Sequence, residues 1–292
     1  MTAENVIGLV VAVALPGYLV LAQGDRLGGR RTVVPRHPWF AEPARLVAST
    51  GSRSQALTRD RAAPPPPGSF PRPSASGRHH MTESSALKAA DFWETRYRDG
   101  GRLWSGRPNA LLVREAGDLP PGTALDLGCG EGADAVWLAS RGWRVTGVDI
   151  AHTALERAAL HAAEAGVGDR TAWERHVLGE TFPEGSYDLV NVQYLQSPVP
   201  LDQRRVLRQA AAAVAAGGTL LIVLHAGWPS WQSEPPFDAT FPTPHGVLDE
   251  LALPKPRWSL ETLDTVRRAS VSPEGTEGHR DDHVWRLRRT DA

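Results

Sequence analysis

The sequence predicts an α/β fold: a doubly wound, mostly parallel sheet with helices on both faces. After Met81, short apolar strand patterns alternate with amphipathic helical patterns, and this alternation is typical of parallel sheets. Residues 187–194 form a nearly continuous apolar run, as expected of a strand that is buried on both faces. Glycines such as Gly142 and Gly166 end helical stretches, which separates one element from the next.

Periodicity and stop signals assign each element in turn. Helices are predicted where apolar residues recur every three or four positions and a glycine or proline follows. Strands are predicted where a short apolar run ends in a turn sequence. In chain order, the predicted elements are helices over 86–99 and 109–116, a strand over 123–127, a helix over 133–141, a strand over 143–148, a helix over 154–165, strands over 171–177 and 187–194, a helix over 204–216 and a strand over 219–225.

The overall composition argues against several classes of function. The chain of 292 residues carries 32 basic and 33 acidic side chains, so it lacks the excess positive charge that holds a nucleic-acid backbone. We therefore expect no nucleic-acid partner. The single cysteine, Cys129, rules out a disulfide framework and a cysteine-clustered metal site, and no metal is expected.

The first 80 residues differ in composition from the rest. Residues 5–22 are almost wholly apolar and reach the lower length limit of a membrane span. Arginines follow that run, and a span there would leave the remainder of the chain in the cytoplasm. Residues 24–80 are rich in Arg, Pro, Ser and Gly, a composition that predicts disorder.

Three interpretations of this segment stay open at the level of sequence. Met81 is the true start and residues 1–80 are an extension outside the native protein, or residues 5–22 are a real anchor with a linker, or the segment is a soluble disordered tail. Each leaves one domain over residues 81–292, a length that suits a single α/β domain. We expect a cytoplasmic protein that contacts a membrane only if residues 5–22 span it.

The strongest motif is a glycine-rich turn after the first predicted strand. Residues 124–132 read Ala-Leu-Asp-Leu-Gly-Cys-Gly-Glu-Gly, and glycines there let the backbone approach a ligand closely. Asp149 ends the next predicted strand, where a carboxylate can accept both hydroxyls of a ribose. The combination predicts a site for an adenosine-containing cofactor.

The identity of the cofactor depends on the residues around this turn. Gly128, Gly130 and Ala133 also satisfy the loose dinucleotide pattern, so a nicotinamide cofactor stays open. Asp126 favours S-adenosylmethionine, because a carboxylate there suits an ammonium group and repels a pyrophosphate. The glycine pair in residues 215–222, before a further apolar strand, supports the same choice.

These motifs resemble those of the class I S-adenosylmethionine-dependent methyltransferases. Residues 125–132, 148–149, 187–190 and 217–221 fall in that family's order and spacing, and the resemblance covers about residues 86–290. Residues 91–97 and 104–109 look like the start of the thiopurine and tellurite-resistance type small-molecule enzymes. The resemblance implies a methyltransferase domain over 81–292 and methyl transfer to a small-molecule acceptor. It also implies a seven-stranded sheet with an antiparallel last strand, the last two strands covering 261–270 and 282–288.

The resemblance also implies which residues bind the cofactor. Gly128, Cys129 and Gly130 lie along the methionine part of S-adenosylmethionine, and Asp126 lies near its amino group. Asp149 binds the ribose, Ile150 packs on the adenine and Gln193 lies near the methyl group. Trp93 and Trp104 cover the cofactor from the amino-terminal helix. The family often places an Asp before the fourth strand to bind the adenine, and residues 175–180 contain none there. Either backbone groups of Val177 and Leu178 or the His176 side chain takes that role.

The acceptor is less defined, and the sequence alone assigns no catalytic residue. A soft nucleophile such as sulfur or tellurium needs no base, whereas a hydroxyl or amine needs a proton acceptor. Tyr194 and His225 end predicted strands where such a group can sit, although a purely structural role is the alternative. Residues 193–198 lack the motif of enzymes that methylate nucleic-acid amino groups, which counts against nucleic-acid bases as substrate.

Two further segments, and the function itself, have competing interpretations. Residues 226–256, with Trp228, Trp231, Phe237 and Phe241, form either a lid over the acceptor or a packed surface excursion. Residues 279–283 contain two histidines and two aspartates, and we expect a solvated hairpin turn there rather than a metal site. A nicotinamide-dependent oxidoreductase and a non-catalytic cofactor-binding domain are the alternative functions.

Overall fold

The computed structural model describes residues 83–234, 240–272 and 275–290. The helices are α1 (Glu83–Asp99), α2 (Ala110–Ala116), α3 (Ala133–Ser140), α4 (His152–Glu164), α5 (Gln203–Ala212) and α6 (Pro244–Leu251). The strands are β1 (Thr123–Leu127), β2 (Arg144–Asp149), β3 (Thr171–Arg175), β4 (Tyr187–Gln193), β5 (Val214–His225), β6 (Trp258–Val271) and β7 (Glu277–Arg289). Short 3-10 helices at Gly168–Arg170 and Lys255–Arg257 complete the described elements.

The seven strands form one sheet in the order β3-β2-β1-β4-β5-β7-β6. Strands β1 to β5 pair in parallel, whereas β7 pairs antiparallel with both β5 and β6. The strand order reverses between β1 and β4, and ligands of such sheets bind at the carboxyl ends of the strands near that point. The predicted fold class, including the antiparallel last strand, is confirmed.

Two apolar clusters, one for each face of the sheet, explain the continuous apolar pattern of β4. Leu189 belongs to one cluster and Val190 and Val192 to the other, and all three are fully buried. A strand that contributes alternate side chains to two cores cannot show polar alternation. Asn191 interrupts the apolar run of β4. It is buried and pairs with Asp126 of β1, so polar side chains begin at this level of the sheet.

Two of the predicted boundaries that differ from the structure do so for the same physical reason. Helix α5 ends at Ala212 rather than at residue 216, because the chain enters β5 at Val214, which pairs with Tyr187. Gly218 lies inside this irregular start of β5, where a Cβ would stand 3.0 Å from the carbonyl oxygen of Tyr187. The glycine pair therefore permits a close approach of two strands instead of stopping a helix.

The second correction concerns residues 279–283, which do not form a hairpin turn. Strand β7 begins at Glu277, which pairs with Val271, so the turn lies between these two residues. Pairing along the full length of β6 and β7 carries His279, Asp281, Asp282 and His283 into the strand. Strand alternation then sends Asp282 to a fully buried position, whereas Asp281 forms an ion pair with the exposed Arg267.

Residues 1–80, including the apolar run 5–22, lie outside the described residues. The predictions for this segment and for the domain boundary at residue 81 therefore stay predictions. Within the described ranges, no helix has both the length and the apolar character to cross a bilayer.

Candidate active site

The carboxyl ends of β1, β2 and β4 open into a cavity of about 290 Å³. Every residue that the sequence assigns to the cofactor lines this cavity: Trp93, Trp104, Asp126, Gly128, Cys129, Gly130, Asp149, Ile150, Val177, Leu178 and Gln193. Tyr194 and His225 line it as well. The sequence-predicted residues thus meet in one place, while their role toward the cofactor stays a prediction.

The glycine-rich turn forms the floor of the cavity. Gly128 and Gly130 have φ of 69° and 53°, which glycine adopts without strain. A Cβ on Gly130 would stand 3.0 Å from both Trp104 Nε1 and Tyr97 Oη, which are themselves joined by a 3.1 Å hydrogen bond from the indole. Trp93 lies on α1, whereas Trp104 lies in the segment between α1 and α2, so only Trp93 belongs to the amino-terminal helix.

Asp149 is fixed against this turn by two backbone amides. Its Oδ2 accepts from the Gly130 N–H and its Oδ1 from the Ala151 N–H, both at 3.0 Å. Each carboxylate oxygen keeps a further lone pair for a ligand hydroxyl. Burial raises the pKa of Asp149 to about 6, even though the hydrogen bonds from Ala151 and Gly130 act in the opposite direction.

Asp126 belongs to a buried chain of hydrogen bonds that crosses from β4 to β1. Gln193 Nε2 donates to Asn191 Oδ1, and Asn191 Nδ2 donates to Asp126 Oδ1, each at 2.8 Å. Within the described residues, Asp126 Oδ2 and Gln193 Oε1 are buried without any hydrogen-bond partner. Buried acceptors of this kind are costly, so their presence on a cavity wall indicates a ligand that donates hydrogen bonds.

Electrostatics make this end of the cavity favourable for a cation. Burial, and then the neighbouring carboxyl of Asp134, raise the pKa of Asp126 to about 8. Burial also raises the pKa of Asp134, although that side chain accepts hydrogen bonds from both the backbone N–H and Nδ2 of Asn109 at 2.7 Å. The two buried carboxyls repel each other when ionised, and a ligand ammonium group would relieve that repulsion.

Acidic side chains also attach the amino-terminal segment to the turn and to α4. Glu131 accepts from the backbone N–H of Trp104 at 3.2 Å and from Arg157 Nη1 at 2.8 Å. Glu94 of α1 accepts from the first backbone N–H groups of α4, at His152 and Thr153. These contacts hold α1 and the loop that follows it over the cavity.

Of the groups predicted to bind the adenine, the His176 side chain and the Val177 backbone already have hydrogen-bond partners within the protein. Both ring nitrogens of His176 have partners, Thr181 Oγ1 and Glu174 Oε2, each at 3.1 Å. The Val177 N–H donates to Thr181 Oγ1 at 3.0 Å, and its carbonyl accepts from the amides of Glu180 and Thr181. Neither His176 nor Val177 is thus free for a base without losing these bonds.

Another part of the cavity wall belongs to a cluster centred on Asp282, which the sequence interpretation assigned to a solvated turn. Asp282 is fully buried and lies opposite His225 in the β5–β7 register. Its Oδ1 is 2.7 Å from His225 Nδ1, and its Oδ2 accepts from Tyr194 Oη at 3.1 Å and from Arg268 Nε. Arg268 and Arg280 line the cavity beside this cluster.

The cluster has a defined ionisation state at neutral pH. Burial lowers the pKa of His225, more strongly than its contact with Asp282 raises it. Burial opposes ionisation of Asp282 as well, but contacts with His225 and Arg268 outweigh it and hold the Asp282 pKa below its usual value. Burial, and then the charge on Asp282, raise the pKa of Tyr194 far above its normal range. A neutral imidazole therefore faces an ionised carboxylate and a protonated phenol.

Several residues of the site were not singled out from the sequence. Tyr97, Asn191 and Asp134 carry no motif of their own, although helical spacing predicted burial of Tyr97. Asp282 stood in the noted stretch 279–283, and an extended β7 paired with β5 would have identified it.

The other noted features do not supply chemistry to the cavity. The ring of Trp228 packs edge-on against Phe241, Trp231 packs against Arg280, and none of these three rings lines the cavity, whereas Phe237 lies outside the described residues. Burial raises the pKa of the Cys129 thiol well above normal, so it is not a nucleophile at neutral pH. Among the residues that the structure covers, no group of three or more His, Cys, Asp or Glu is arranged to hold a metal ion.

Comparison with known proteins assigns this arrangement to a family. A family described as "Methyltransferase domain" matches residues 124–218, which contain the glycine turn, Asp149 and Gln193. A 2-heptyl-1-hydroxyquinolin-4(1H)-one methyltransferase of Mycobacteroides abscessus is 30% identical over 164 residues, which are 55% of this chain and 69% of that protein. A ubiquinone biosynthesis O-methyltransferase of Serratia proteamaculans is 33% identical over 48% of this chain and 58% of its own length.

The fold agrees with solved methyltransferase structures. A magnesium protoporphyrin IX methyltransferase from Synechocystis PCC 6803, solved with bound SAH (S-adenosylhomocysteine), superposes with a TM-score of 0.52. The match covers 70% of this chain and all of that chain at 16% identity. No finding supports the nicotinamide-dependent alternative, and the closer resemblance to thiopurine and tellurite-resistance type enzymes stays a prediction. The chain belongs to the class I S-adenosylmethionine-dependent methyltransferases.

Proposed function

We propose that this methyltransferase acts on a small organic acceptor that binds between the glycine turn and the Asp282 cluster. When bound, S-adenosylmethionine supplies a methyl group on a positively charged sulfur, which a nucleophile in line with the sulfur–carbon bond accepts. The protein's task in such a displacement is alignment and exclusion of water. The glycine turn and the polar side chains Tyr194, His225 and Arg268 line the same cavity, which supports the proposal that donor and acceptor bind side by side there.

The observation that carries the cofactor assignment is the pair of unpartnered buried acceptors. Asp126 Oδ2 and Gln193 Oε1 suit the ammonium group of the methionine part, which has three N–H donors. Asp149 has lone pairs left for the ribose hydroxyls beside Gly130. We assign Gly128, Gly130 and Cys129 to backbone contact along the methionine part, and Trp93 and Trp104 to covering it.

The adenine contact is the least conventional part of this proposal. Because the polar groups of His176 and Val177 already have partners, we assign hydrogen bonding of the base to the backbone of Leu178. Ile150 would pack against the face of the ring. Arg175 Nε donates to the Ile150 carbonyl at 2.9 Å, which fixes this residue at the end of β2.

The acceptor class rests on chemistry and on the matched relatives. By their names, these relatives methylate a hydroxyquinolone and act in ubiquinone biosynthesis, and both names point to organic molecules of moderate size. The near-zero net charge of this chain argues against a nucleic-acid substrate. A cytoplasmic location is also part of the proposal, and fractionation of cells that make the full-length chain tests it.

Two experiments test the proposal. Calorimetry should detect binding of SAH and not of NADH; binding of NADH alone would contradict the cofactor assignment. Incubation with methyl-labelled S-adenosylmethionine should then label a member of a panel that contains 2-heptyl-1-hydroxyquinolin-4(1H)-one, phenols, thiols and tellurite. Labelling of RNA or DNA oligonucleotides in preference to that panel would show that the acceptor class is wrong.

A further inference from the structure

We propose that His225 is the proton acceptor for methyl transfer to a hydroxyl group, and that Arg280 binds a second, negatively charged oxygen of the same acceptor. The substrate class is therefore a hydroxylated aromatic molecule that carries a carboxylate or an equivalent oxygen. This inference rests on the proposed function and deepens it, because it names the acceptor chemistry of the same cavity.

The first argument is the state of the His225 ring. An ionised carboxylate can only accept hydrogen bonds, so the contact between Asp282 Oδ1 and His225 Nδ1 requires the proton on Nδ1. Nε2 then carries a lone pair. Within the described residues Nε2 makes no hydrogen bond, and the imidazole, 11% exposed, lines the cavity. A proton acceptor thus faces the space where we place the acceptor molecule.

The second argument is that the ring is held in place from several directions. Gln196 binds the backbone of His225 twice, accepting from its N–H at 2.8 Å and donating to its carbonyl at 3.4 Å. The Tyr194 ring stacks on the imidazole with centroids 4.4 Å apart. Tyr194 itself has a positive φ of 52°, a strained conformation that is found mainly where function requires it. These contacts fix the His225 backbone and one face of its ring.

The third argument comes from the two arginines. Arg268 and Arg280 lie directly opposite each other on β6 and β7, and like charges at such positions are destabilising. Asp282 neutralises Arg268. Arg280 is 8% exposed, packs on the Trp231 ring at 4.8 Å, and makes no hydrogen bond or ion pair with the described residues. Burial lowers its pKa to about 10, so it keeps its charge at neutral pH.

A buried guanidinium that forms no ion pair with the residues the structure describes indicates a ligand oxygen that supplies one. Apolar residues Leu195, Val199, Leu201 and Ala269 line the same cavity and suit the ring of an aromatic acceptor. Among the described residues, the charged and titratable groups beside His225 are Asp282 and Arg280 on β7, Arg268 on β6 and Tyr194 after β4.

The reaction balances without a further co-reactant. The hydroxyl oxygen forms a bond to the methyl carbon as the sulfur–carbon bond breaks, and that electron pair stays on sulfur. The hydroxyl proton passes to His225 Nε2, and Asp282 stabilises the resulting imidazolium. Water then removes the proton, so the products are the methyl ether, SAH and one proton. A thiol that is already ionised has no proton to lose and does not need His225.

The test compares 4-hydroxybenzoate with 4-mercaptobenzoate, which differ only in the nucleophilic atom. We expect His225→Gln to lower kcat/KM for the hydroxyl compound by about 100-fold at pH 7, within the usual range for loss of a general base. Transfer to the thiol should change less than about threefold, and SAH affinity should stay unchanged. His245→Gln, at an exposed histidine on α6, is the matched control and should leave both rates unchanged.

The pH profile provides a readout that a structural role does not change. In the native chain, kcat/KM for 4-hydroxybenzoate should rise with pH as the imidazole loses its proton and then level off. In His225→Gln it should keep rising until the acceptor itself ionises. Equal loss with both acceptors, an unchanged profile, or transfer to the thiol alone by the native chain would overturn the role of His225.

Arg280 is tested with a second acceptor pair. Arg280→Met should raise KM for 4-hydroxybenzoate at least about tenfold, as expected for one charge-assisted contact, and leave transfer to 4-ethylphenol nearly unchanged. Equal effects on both compounds, or no methylation of either by a native chain that binds SAH, would show that the acceptor class is wrong. Failure of the native chain to bind SAH would instead count against the proposed function.

Discussion

The two ends of the cavity are built in different ways. The cofactor end is made from a short stretch of chain, in which β1, the glycine turn and the end of β2 follow one another, and backbone amides of Gly130 and Ala151 hold Asp149. The acceptor end is assembled from four separate places, and its contacts join side chains: His225 to Asp282, Tyr194 to Asp282 and Arg268 to Asp282.

The two ends also differ in charge. Asp126, Asp134 and Asp149 make the cofactor end acidic, whereas Arg268 and Arg280 leave the acceptor end with an excess of positive charge beside Asp282. Such a gradient would orient a cationic methyl donor and an anionic acceptor toward opposite ends. If the two ends are independent, substitutions at one should change binding of the donor, and substitutions at the other should change only binding and turnover of the acceptor.

The largest expected effect is at the acceptor end. Asp282→Asn should lower kcat/KM for 4-hydroxybenzoate by about 100-fold, because the imidazolium formed on His225 loses its counter-charge. The SAH dissociation constant should stay within about twofold of the native value. Steady-state kinetics and calorimetry on the same sample measure both, and thermal unfolding reports whether the buried network tolerates the amide. If Asp282→Asn also lost SAH affinity, the two ends of the cavity would not be independent.

At the cofactor end, Asp149→Ala should weaken SAH binding at least about tenfold, because charge-assisted hydrogen bonds to the ribose are lost. Calorimetry measures the change directly. Asp169→Ala, at an exposed aspartate in the 3-10 helix before β3, is the control and should have no effect. An unchanged affinity in Asp149→Ala would contradict the assignment of the ribose site.

The acidic end also predicts a pH dependence of SAH binding. The pKa of about 8 makes Asp126 mostly protonated at pH 7, and an ammonium ligand favours its ionised form, so binding should release a proton. Affinity should therefore rise with pH up to about 8, by at most about tenfold per pH unit. Below about pH 6, protonation of Asp149 should weaken binding further.

Calorimetry in buffers with different ionisation enthalpies measures the released proton. Asp126→Asn removes the titrating group and should abolish the dependence between pH 6 and 8, while the loss below pH 6 persists. An equal slope in the native chain and in this variant would show that another group titrates on binding.

The smallest effect is expected from removal of residues 1–80. A chain shortened to begin at Met81 should bind SAH with unchanged affinity, because every residue assigned to the cavity lies in the described part after residue 81. Calorimetry on the full-length and the shortened chain makes the comparison. Loss of binding would show that residues 1–80 contribute to the site.

The difference between the two ends of the cavity also explains which site residues could be predicted from the sequence. The glycine turn and Asp149 were predicted because their positions depend on one strand, one turn and the next strand. Asp282 was missed because its position depends on how far the β6–β7 pairing extends, and on which residue of β5 it then meets. The early end of α5 was missed for a similar reason, since strand pairing at Val214 outweighed the helical preference of an alanine-rich stretch.

The placement of the acceptor groups on the β6–β7 hairpin has a consequence for divergence and for engineering. Main-chain hydrogen bonds hold this hairpin to β5, so the ladder does not depend on which side chains point into the cavity. Positions 268, 270 and 280 lie on β6 and β7, and in the described part of the chain neither strand belongs to the glycine turn. Exchange of this hairpin between relatives would replace the two arginines and Asp282, while β1, the glycine turn and β2 are inherited unchanged.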